Sequence, residues 1–315
     1  MRDLVVIGGG AGGLVVASVA AQLGLDVVLI NKEEAMGGDC LHYGCVPSKA
    51  LLKSASVAHI MTHADRWGLP AVTTDVDMQA INQAVMNAVA TIQPHDSRER
   101  FESLGCEVIT GEASFISPSE ISVAGETGIA ETISAKKIVV ATGSYAWIPP
   151  VAGLDQVEYL TNEDMFSLPC LPQRLAILGG GPVGVEMAQA YARLGSEVTI
   201  IELAARLLPR GDEELSDILA QTLQAEGVRL ELEAEVERVS QRDDVKKVEL
   251  KHGKSIDADA LLVAVGRRPR VEPLNLSAAN VDYDARGIKV DRKMRSTNKR
   301  IYACGDVTGE MPLTH

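Results

Sequence analysis

The chain has 315 residues, 46% of them apolar and only 3% aromatic, with a formal net charge of −13. The length sets a prior of two domains, and the composition requires aliphatic cores of Val, Leu, Ile and Ala. The charge argues against nucleic acid and anionic membrane surfaces as partners, since both need positive patches.

The longest apolar stretch, near Leu14–Leu23, falls well short of the roughly 20 residues of a membrane span. Five cysteines without a dense, even pattern do not read as a secreted disulfide scaffold. The chain enters a strand straight after Met1-Arg2-Asp3, with no signal region. A cytoplasmic location is the expectation.

Leu4-Val5-Val6-Ile7 predicts a buried strand, Gly8 to Gly13 a glycine-rich turn, the following Ala/Val/Leu run to Leu23 a helix, and Asp26–Ile30 a second strand. Gly8, Gly10 and Gly13 occupy the places of a dinucleotide-binding fingerprint. The first glycine makes the tight turn, the second lets a pyrophosphate approach, and the third packs helix on strand. Ser48–Met61 predicts a helix, and so does Met78–Leu104, broken at Pro94. Glu107–Thr110, Ala113–Ile116, Glu120–Val123 and Thr132–Ser134 predict a small antiparallel meander, and Lys137–Ala141 a buried strand ending in Thr142-Gly143-Ser144. Ile148-Pro149-Pro150 and Gly153 read as a linker.

The βαβ unit then recurs. Leu175–Leu178 is a strand, Gly179, Gly181 and Gly184 stand in the fingerprint places, a helix runs to Leu194, and Glu197–Ile201 is the next strand. The spacing from first glycine to strand-end polar residue is 23 positions in both units, Gly8 to Asn31 and Gly179 to Glu202. Two dinucleotide sites are expected. Glu202 is the acid that meets a ribose 2′-hydroxyl and repels a 2′-phosphate, which favours NAD(H) over NADP(H). Asn31 departs from that acid, although its amide oxygen can accept the same bond. Glu213–Glu226 then predicts a helix. Val228–Leu232, Glu235–Ser240, Val245–Lys251 and Ala260–Val265 predict strands, and Lys299–Cys304 a last strand stopped by Gly305-Asp306.

The chemistry concentrates in Gly37 to Lys49, where Cys40 and Cys45 stand five apart and Pro47 opens a helix. Cysteines at this spacing do not face one another inside a regular helix, but an irregular entry folds Cys40 back onto Cys45. A helix N-terminus stabilises an anion by about 0.3–1 kcal/mol, and up to about 2. That alone lowers a thiol at the helix start from about 8.5 to about 7–8, and Lys49 adds a cation. Unrelated buried cysteines, or half of a metal site, are the alternative readings. A zinc site needs about four ligands, and the other cysteines are singletons.

Two fingerprints, the Cys40–Cys45 stretch and the Gly305-Asp306 ending occur in the order that marks the class I FAD-dependent pyridine nucleotide-disulfide oxidoreductases, and from Leu4 to His315 the chain resembles them. The wording of the motifs is most similar to dihydrolipoamide dehydrogenase and mercuric reductase. The expected architecture is α/β: two Rossmann-like domains, the second inserted in the first, each with a small antiparallel β meander. The FAD domain is expected over 1–147 plus 272–315 and the NAD(P) domain over 148–271.

The resemblance implies that FAD is held by Gly8, Gly10, Ala11, Gly13, Asn31, Lys32, Gly38, Asp39, Lys49, Ala113, Thr142, Gly143, Ser144, Asp306, Pro312, Leu313, Thr314 and His315. It implies that NAD(P) is held by Gly179, Gly181, Pro182, Val183, Gly184, Glu186, Glu202, Val236 and Gly266. Electrons are expected to pass from NAD(P)H to FAD, to the Cys40–Cys45 disulfide, and on to a small-molecule disulfide or thiol. Cys45 would face the flavin, and Cys40 would attack the substrate. Lys49 would pair with Glu186 beside them, a pair that also reads as purely structural. Rival readings are a mercuric reductase acting on a thiophilic metal ion, and a flavin-binding redox sensor without turnover.

Family members carry a further C-terminal domain that builds a homodimer and supplies a His-Glu acid-base pair. His42, His59, His63, His95 and His252 match no such role. The chain therefore reads as truncated, monomeric by itself and dimeric at full length.

Overall fold

Strand β1 (Arg2–Ile7) begins with the half-buried Arg2 and Asp3 and continues as a buried aliphatic run, Leu4 to Ile7, the composition of a strand buried on both faces of a parallel sheet. The structure is a computed structural model that describes residues 1–73, 75–125 and 130–309. The expected flavin-lining run Pro312, Leu313, Thr314 and His315 lies outside the described residues. After β1 come α1 (Ala11–Gln22), β2 (Val27–Asn31), α2 (Gly38–His42), α3 (Cys45–Thr62), α4 (Met78–Ile92) and α5 (Arg98–Ser103). Then follow β3 (Cys106–Thr110), β4 (Glu112–Ser117), β5 (Glu120–Ala124), β6 (Ala130–Val140) and β7 (Ser144–Ala146).

The chain divides into two compact units. The first comprises Met1–Cys45, Val89–Tyr145 and Arg267–His315. Its seven-stranded sheet runs β3-β2-β1-β6-β5-β4, and the late strand Ile301–Ala303 also pairs with β6. Val5, Ile7, Val28 and Ile30 bury into one core, and Leu4, Val6, Val27 and Leu29 into another on the opposite face. This alternation is the period of two a strand imposes.

Two strand assignments change here. Glu107–Thr110, expected in the meander, lies in β3, which pairs parallel with β2. Thr132–Ser134 and Lys137–Ala141 are not separate strands. They belong to one eleven-residue β6, whose start pairs antiparallel with β5 and whose end pairs parallel with β1. The polar Lys136-Lys137 pair interrupts the apolar alternation without interrupting the backbone.

The second unit comprises Val46–Ala88 and Ala146–Gly266. Its elements include β8 (Arg174–Leu178), α6 (Pro182–Leu194), β9 (Glu197–Ile201), α7 (Glu213–Ala225) and β10 (Arg229–Glu231). They continue with β11 (Val236–Arg242), β12 (Val245–Leu250), β13 (Ser255–Ala258) and β14 (Ala260–Val263). A parallel sheet runs β10-β9-β8-β14, and β11-β12-β13 form the antiparallel meander. Pro182 opens α6, and Gly195, in left-handed backbone at φ 115°, closes it.

The expected boundaries are 147/148 and 271/272; the units break after Tyr145 and after Gly266. The segment 46–88 differs: it was expected with the first domain, whereas Leu51, Ala55, Met78 and Val85 bury into the second unit's core beside Ile177, Tyr191 and Ile200. Among the described residues no helix is long and apolar enough to cross a membrane.

Candidate active site

The two glycine loops follow the same steric logic. A Cβ on Gly8 would sit 2.3 Å from the Ala141 carbonyl oxygen, and one on Gly13 would sit 1.8 Å from that of Gly8. In the second unit a Cβ on Gly179 would lie 2.5 Å from the Ala264 oxygen, and one on Gly184 would lie 2.0 Å from that of Gly179. The first and third glycines are thus demanded by protein packing.

The second glycines are not. A Cβ on Gly181 meets nothing within 4 Å, and one on Gly10 meets only Gly38 Cα at 3.8 Å. Neither Gly10 nor Gly181 caps its helix with a side chain, and neither α1 nor α6 has an acid in its first turn. By contrast Asp212 caps α7, accepting from the Glu214 and Leu215 amides. Open space before uncapped helix N-termini, at Ala11 in α1 and at Pro182-Val183 in α6, fits the pyrophosphate of a dinucleotide.

The strand-end residues brace these loops. Asn31 Oδ1 accepts the Gly9 amide at 2.9 Å, while its Nδ2 donates to the Glu33 and Ala35 carbonyls. Glu202 Oε2 accepts the Gly180 amide at 2.6 Å, and Oε1 accepts the Ala204 amide at 2.7 Å. Asn31 therefore does for the first loop what the acid does for the second.

The cysteine stretch packs directly on the first loop. Gly37 bridges to Gly10 and donates its amide to the Gly9 carbonyl at 2.8 Å. A Cβ on Gly38 would sit 2.7 Å from Gly10 Cα. Gly37, left-handed at φ 114°, starts the short helix α2. Cys40 therefore lies in a helical turn.

Helix α2 ends where Tyr43 N–H donates to the Asp39 carbonyl, and the chain reverses through Gly44. A side chain at Gly44 would meet the Asp39 oxygen at 2.9 Å. That close pass returns Cys45, first residue of α3, to Cys40. The two side chains share a hydrogen bond, and both are free thiols in this structure. Burial first, and then the Cys45 contact, push the Cys40 thiol up to about 12. His42 points elsewhere, its Nε2 held by the Met36 carbonyl at 2.9 Å.

Arg267 is the residue that sequence reasoning missed. It reaches Asp39 at 2.7 Å and Asp306 at 3.7 Å, and its Nε donates to the Ser144 hydroxyl at 2.7 Å. Ser144 in turn donates to Asp306 at 2.6 Å. One guanidinium thus ties the neighbour of Cys40 to the first residue of β7 and to the acid just past the last strand. Thr142 and Gly143 join the same loop cluster through Arg270, whose carbonyl accepts from the Thr142 hydroxyl and whose amide donates to the Gly143 carbonyl.

In the second unit Lys49 Nζ meets Glu186 Oε1 at 2.6 Å. Lys49 stands one helical turn after Cys45 on α3, and Glu186 stands two residues past Gly184 on α6. Gly266, at φ 148°, accepts the Trp147 amide, and Val236 opens β11. Of the remaining expected site residues, Lys32, next to Asn31, pairs with Glu112 at 3.5 Å, and the Ala113 side chain is buried in the aliphatic core.

Residues 2–315 match the family model of the pyridine nucleotide-disulphide oxidoreductases. The chain is 39% identical over 321 residues to a dihydrolipoyl dehydrogenase of Bacillus subtilis, covering 99% of this chain and 68% of that protein. It is 36% identical over 310 residues to a mercuric reductase of Bacillus cereus, covering 97% of this chain and 48% of that protein. The fold superposes on the HOCl-induced flavoprotein disulfide reductase RclA from Escherichia coli with a TM-score of 0.87 at 31% identity, covering 99% of this chain and 67% of that one. The chain thus spans about half to two thirds of the length of these relatives. With two matched glycine loops and a dithiol seated on the first, it belongs to the pyridine nucleotide-disulphide oxidoreductases.

Proposed function

We propose that the chain is the cofactor-binding and redox part of an FAD-dependent NAD(P)H:disulfide oxidoreductase of the dihydrolipoyl dehydrogenase type. The observation that carries this reading is the Cys40–Cys45 dithiol, hydrogen-bonded and packed on the Gly10 loop. The first unit would hold FAD through its Gly8–Gly13 loop, Ser144 and Asp306. The second would hold the nicotinamide nucleotide through Gly179–Gly184 and Glu202. When bound, these groups supply the hydride chemistry that cysteine lacks.

The chain's own residues do the rest. Two electrons and two protons turn the Cys40–Cys45 disulfide into the two thiols, and a substrate disulfide takes them away again by thiol exchange. Cys45, at the start of α3 and one turn from Lys49, is assigned to the cofactor side. Cys40 is assigned to attack. With its thiol held near 12, Cys40 needs a base, and His42 is occupied by the Met36 carbonyl. The resemblance supplies that base from a His-Glu pair in a further domain, which would also make the full-length protein a homodimer.

NADH is the proposed donor. The Glu202 carboxylate lies at the second loop. Arg206, the nearest cation along the chain, is engaged with Glu213 at 3.2 Å and with the Pro209 carbonyl. The proposal is tested by reconstituting the chain with FAD and following NADH and NADPH oxidation with lipoamide or mercuric ion. NADH consumption elicited by lipoamide supports it. Consumption elicited by mercuric ion alone replaces the disulfide with a metal-ion substrate, and failure to retain FAD overturns the reading.

A further inference from the structure

In the first unit the Gln93–Asp96 segment forms a single turn of 3-10 helix beside the cysteine stretch. Gln93 Nε2 donates to the Met36 carbonyl at 3.1 Å, the same oxygen that holds His42 Nε2 at 2.9 Å. In a helix of three residues per turn, positions three apart lie on one face. Asp96 therefore shares the face of Gln93, and Gln93 pins that face to the segment that carries Cys40 and His42. The carboxylate comes close enough for its charge to act on both the Cys40 sulfur and the His42 ring.

Asp96 is half-buried, and burial pushes its carboxyl above the ordinary carboxylate value, against the pull of Arg100, His95 and His42. Among the described residues no hydrogen bond or ion pair fixes it. The Arg100 guanidinium donates instead to the His95 carbonyl. Ser97, the next residue, is occupied as the cap of α5, accepting the Arg100 amide at 3.3 Å. An acid without a structural partner, set against the sulfur assigned to attack, acts through its charge.

The dithiol gives that charge a proton to place. When the reduced pair loses one proton, one sulfur becomes a thiolate and the other stays a thiol. Cys45 is the first residue of α3, and a helix N-terminus favours an anion there. Cys40 has Asp96 for a neighbour, and a like charge disfavours ionisation. The Cys45 amide, which donates to the Cys40 sulfur, works the other way. We propose that Asp96 is a positioning residue that keeps the shared proton on Cys40 and the thiolate on Cys45. The proposal rests on the reading of these cysteines as a redox pair, and it names the group that divides their labour. The sulfur on the cofactor side carries the charge, and the sulfur that meets a substrate disulfide keeps its proton until a base removes it.

The test is alkylation of the full chain, reduced and then freed of reductant. Limiting iodoacetamide is added between about pH 6 and about pH 10, and the label on each cysteine is counted by mass spectrometry. Cys45 should take the label first, because the thiolate is the nucleophile that displaces iodide. Asp96→Asn should raise the share of label on Cys40 by about threefold or more, the effect of one charge removed from a few ångströms away in a mostly aqueous dielectric. It should also move Cys40 labelling to lower pH. Asp96→Glu keeps the charge and should keep the original pattern. A Cys40 share and pH profile unchanged in Asp96→Asn, an equal shift in Asp96→Glu, or Cys40 labelled ahead of Cys45 in the unsubstituted chain overturns the proposal. The measurement needs no flavin, nicotinamide or disulfide substrate, so its failure is distinct from a failure of lipoamide turnover.

Discussion

Replacing Gly181 and Gly184 by alanine separates what the nucleotide loop does for the fold from what it does for a ligand. At Gly184 the added Cβ would stand 2.0 Å from the Gly179 carbonyl oxygen, more than 1 Å inside contact distance and against backbone that cannot rotate away. Overpacking of this kind costs about 1–3 kcal/mol or more. At about 2–4 °C per kcal/mol, Gly184→Ala should lower the melting midpoint by roughly 2–12 °C.

At Gly181 the Cβ meets nothing within 4 Å, and the backbone at φ −75°, ψ −179° suits any residue. Gly181→Ala should leave stability unchanged or raise it by about 0.4–1 kcal/mol, because alanine narrows the unfolded ensemble. Its cost should fall on NADH, whose pyrophosphate needs that space, weakening affinity by about tenfold or more. Calorimetric melting and NADH titration of the two variants are the assays. Equal destabilisation by both, or unaltered NADH affinity in Gly181→Ala, would refute the steric division of labour.

Arg267→Gln strands Asp39 and Asp306 without their shared cation, and should cost about 1.5–3 kcal/mol in urea unfolding, part of it recovered when Asp39→Asn is added. Glu202→Gln keeps an acceptor for the Gly180 amide but removes the charge, so NADPH affinity should rise relative to NADH by about tenfold, read by fluorescence titration. The Cys40 thiol, raised from an ordinary value of 9.0 to about 12, stays protonated in the folded dithiol while the unfolded chain ionises it. The sign follows: the unfolded state binds fewer protons between those values, so the reduced chain should lose stability as pH rises above about 9. Urea midpoints at pH 8 and 10.5 measure this, and the oxidised chain should lack that component.

The parts of this architecture written in local spacing were legible. Two glycine loops with matched strand-end residues, and a cysteine pair before a helix, are short-range patterns whose steric meaning is the same in any context. The parts that depend on distant segments were not. Arg267 meets Asp39 and Ser144 only once the chain has closed, and an arginine after a glycine gives no local sign of its partners. Asn31 looked like a departure from an acidic pattern, because a sequence shows the side chain's chemistry but not that its oxygen turns back onto the Gly9 amide. Glu107–Thr110 read as meander because apolar alternation does not distinguish a parallel edge strand from an antiparallel one. Helix α3 was assigned to the first domain by order along the chain, whereas its apolar face is covered by the second unit's aliphatics.

The central claim is that electrons from a nicotinamide reach the sulfurs of residues 40 and 45. Oxidise the FAD-reconstituted chain with diamide, remove the oxidant, add one equivalent of NADH without oxygen, and map alkylated cysteines by mass spectrometry. The account predicts a Cys40–Cys45 disulfide before NADH and two newly alkylated cysteines, those two alone, afterwards. Label that appears instead on Cys106, Cys170 or Cys304, or a disulfide that persists while NADH is consumed, contradicts it.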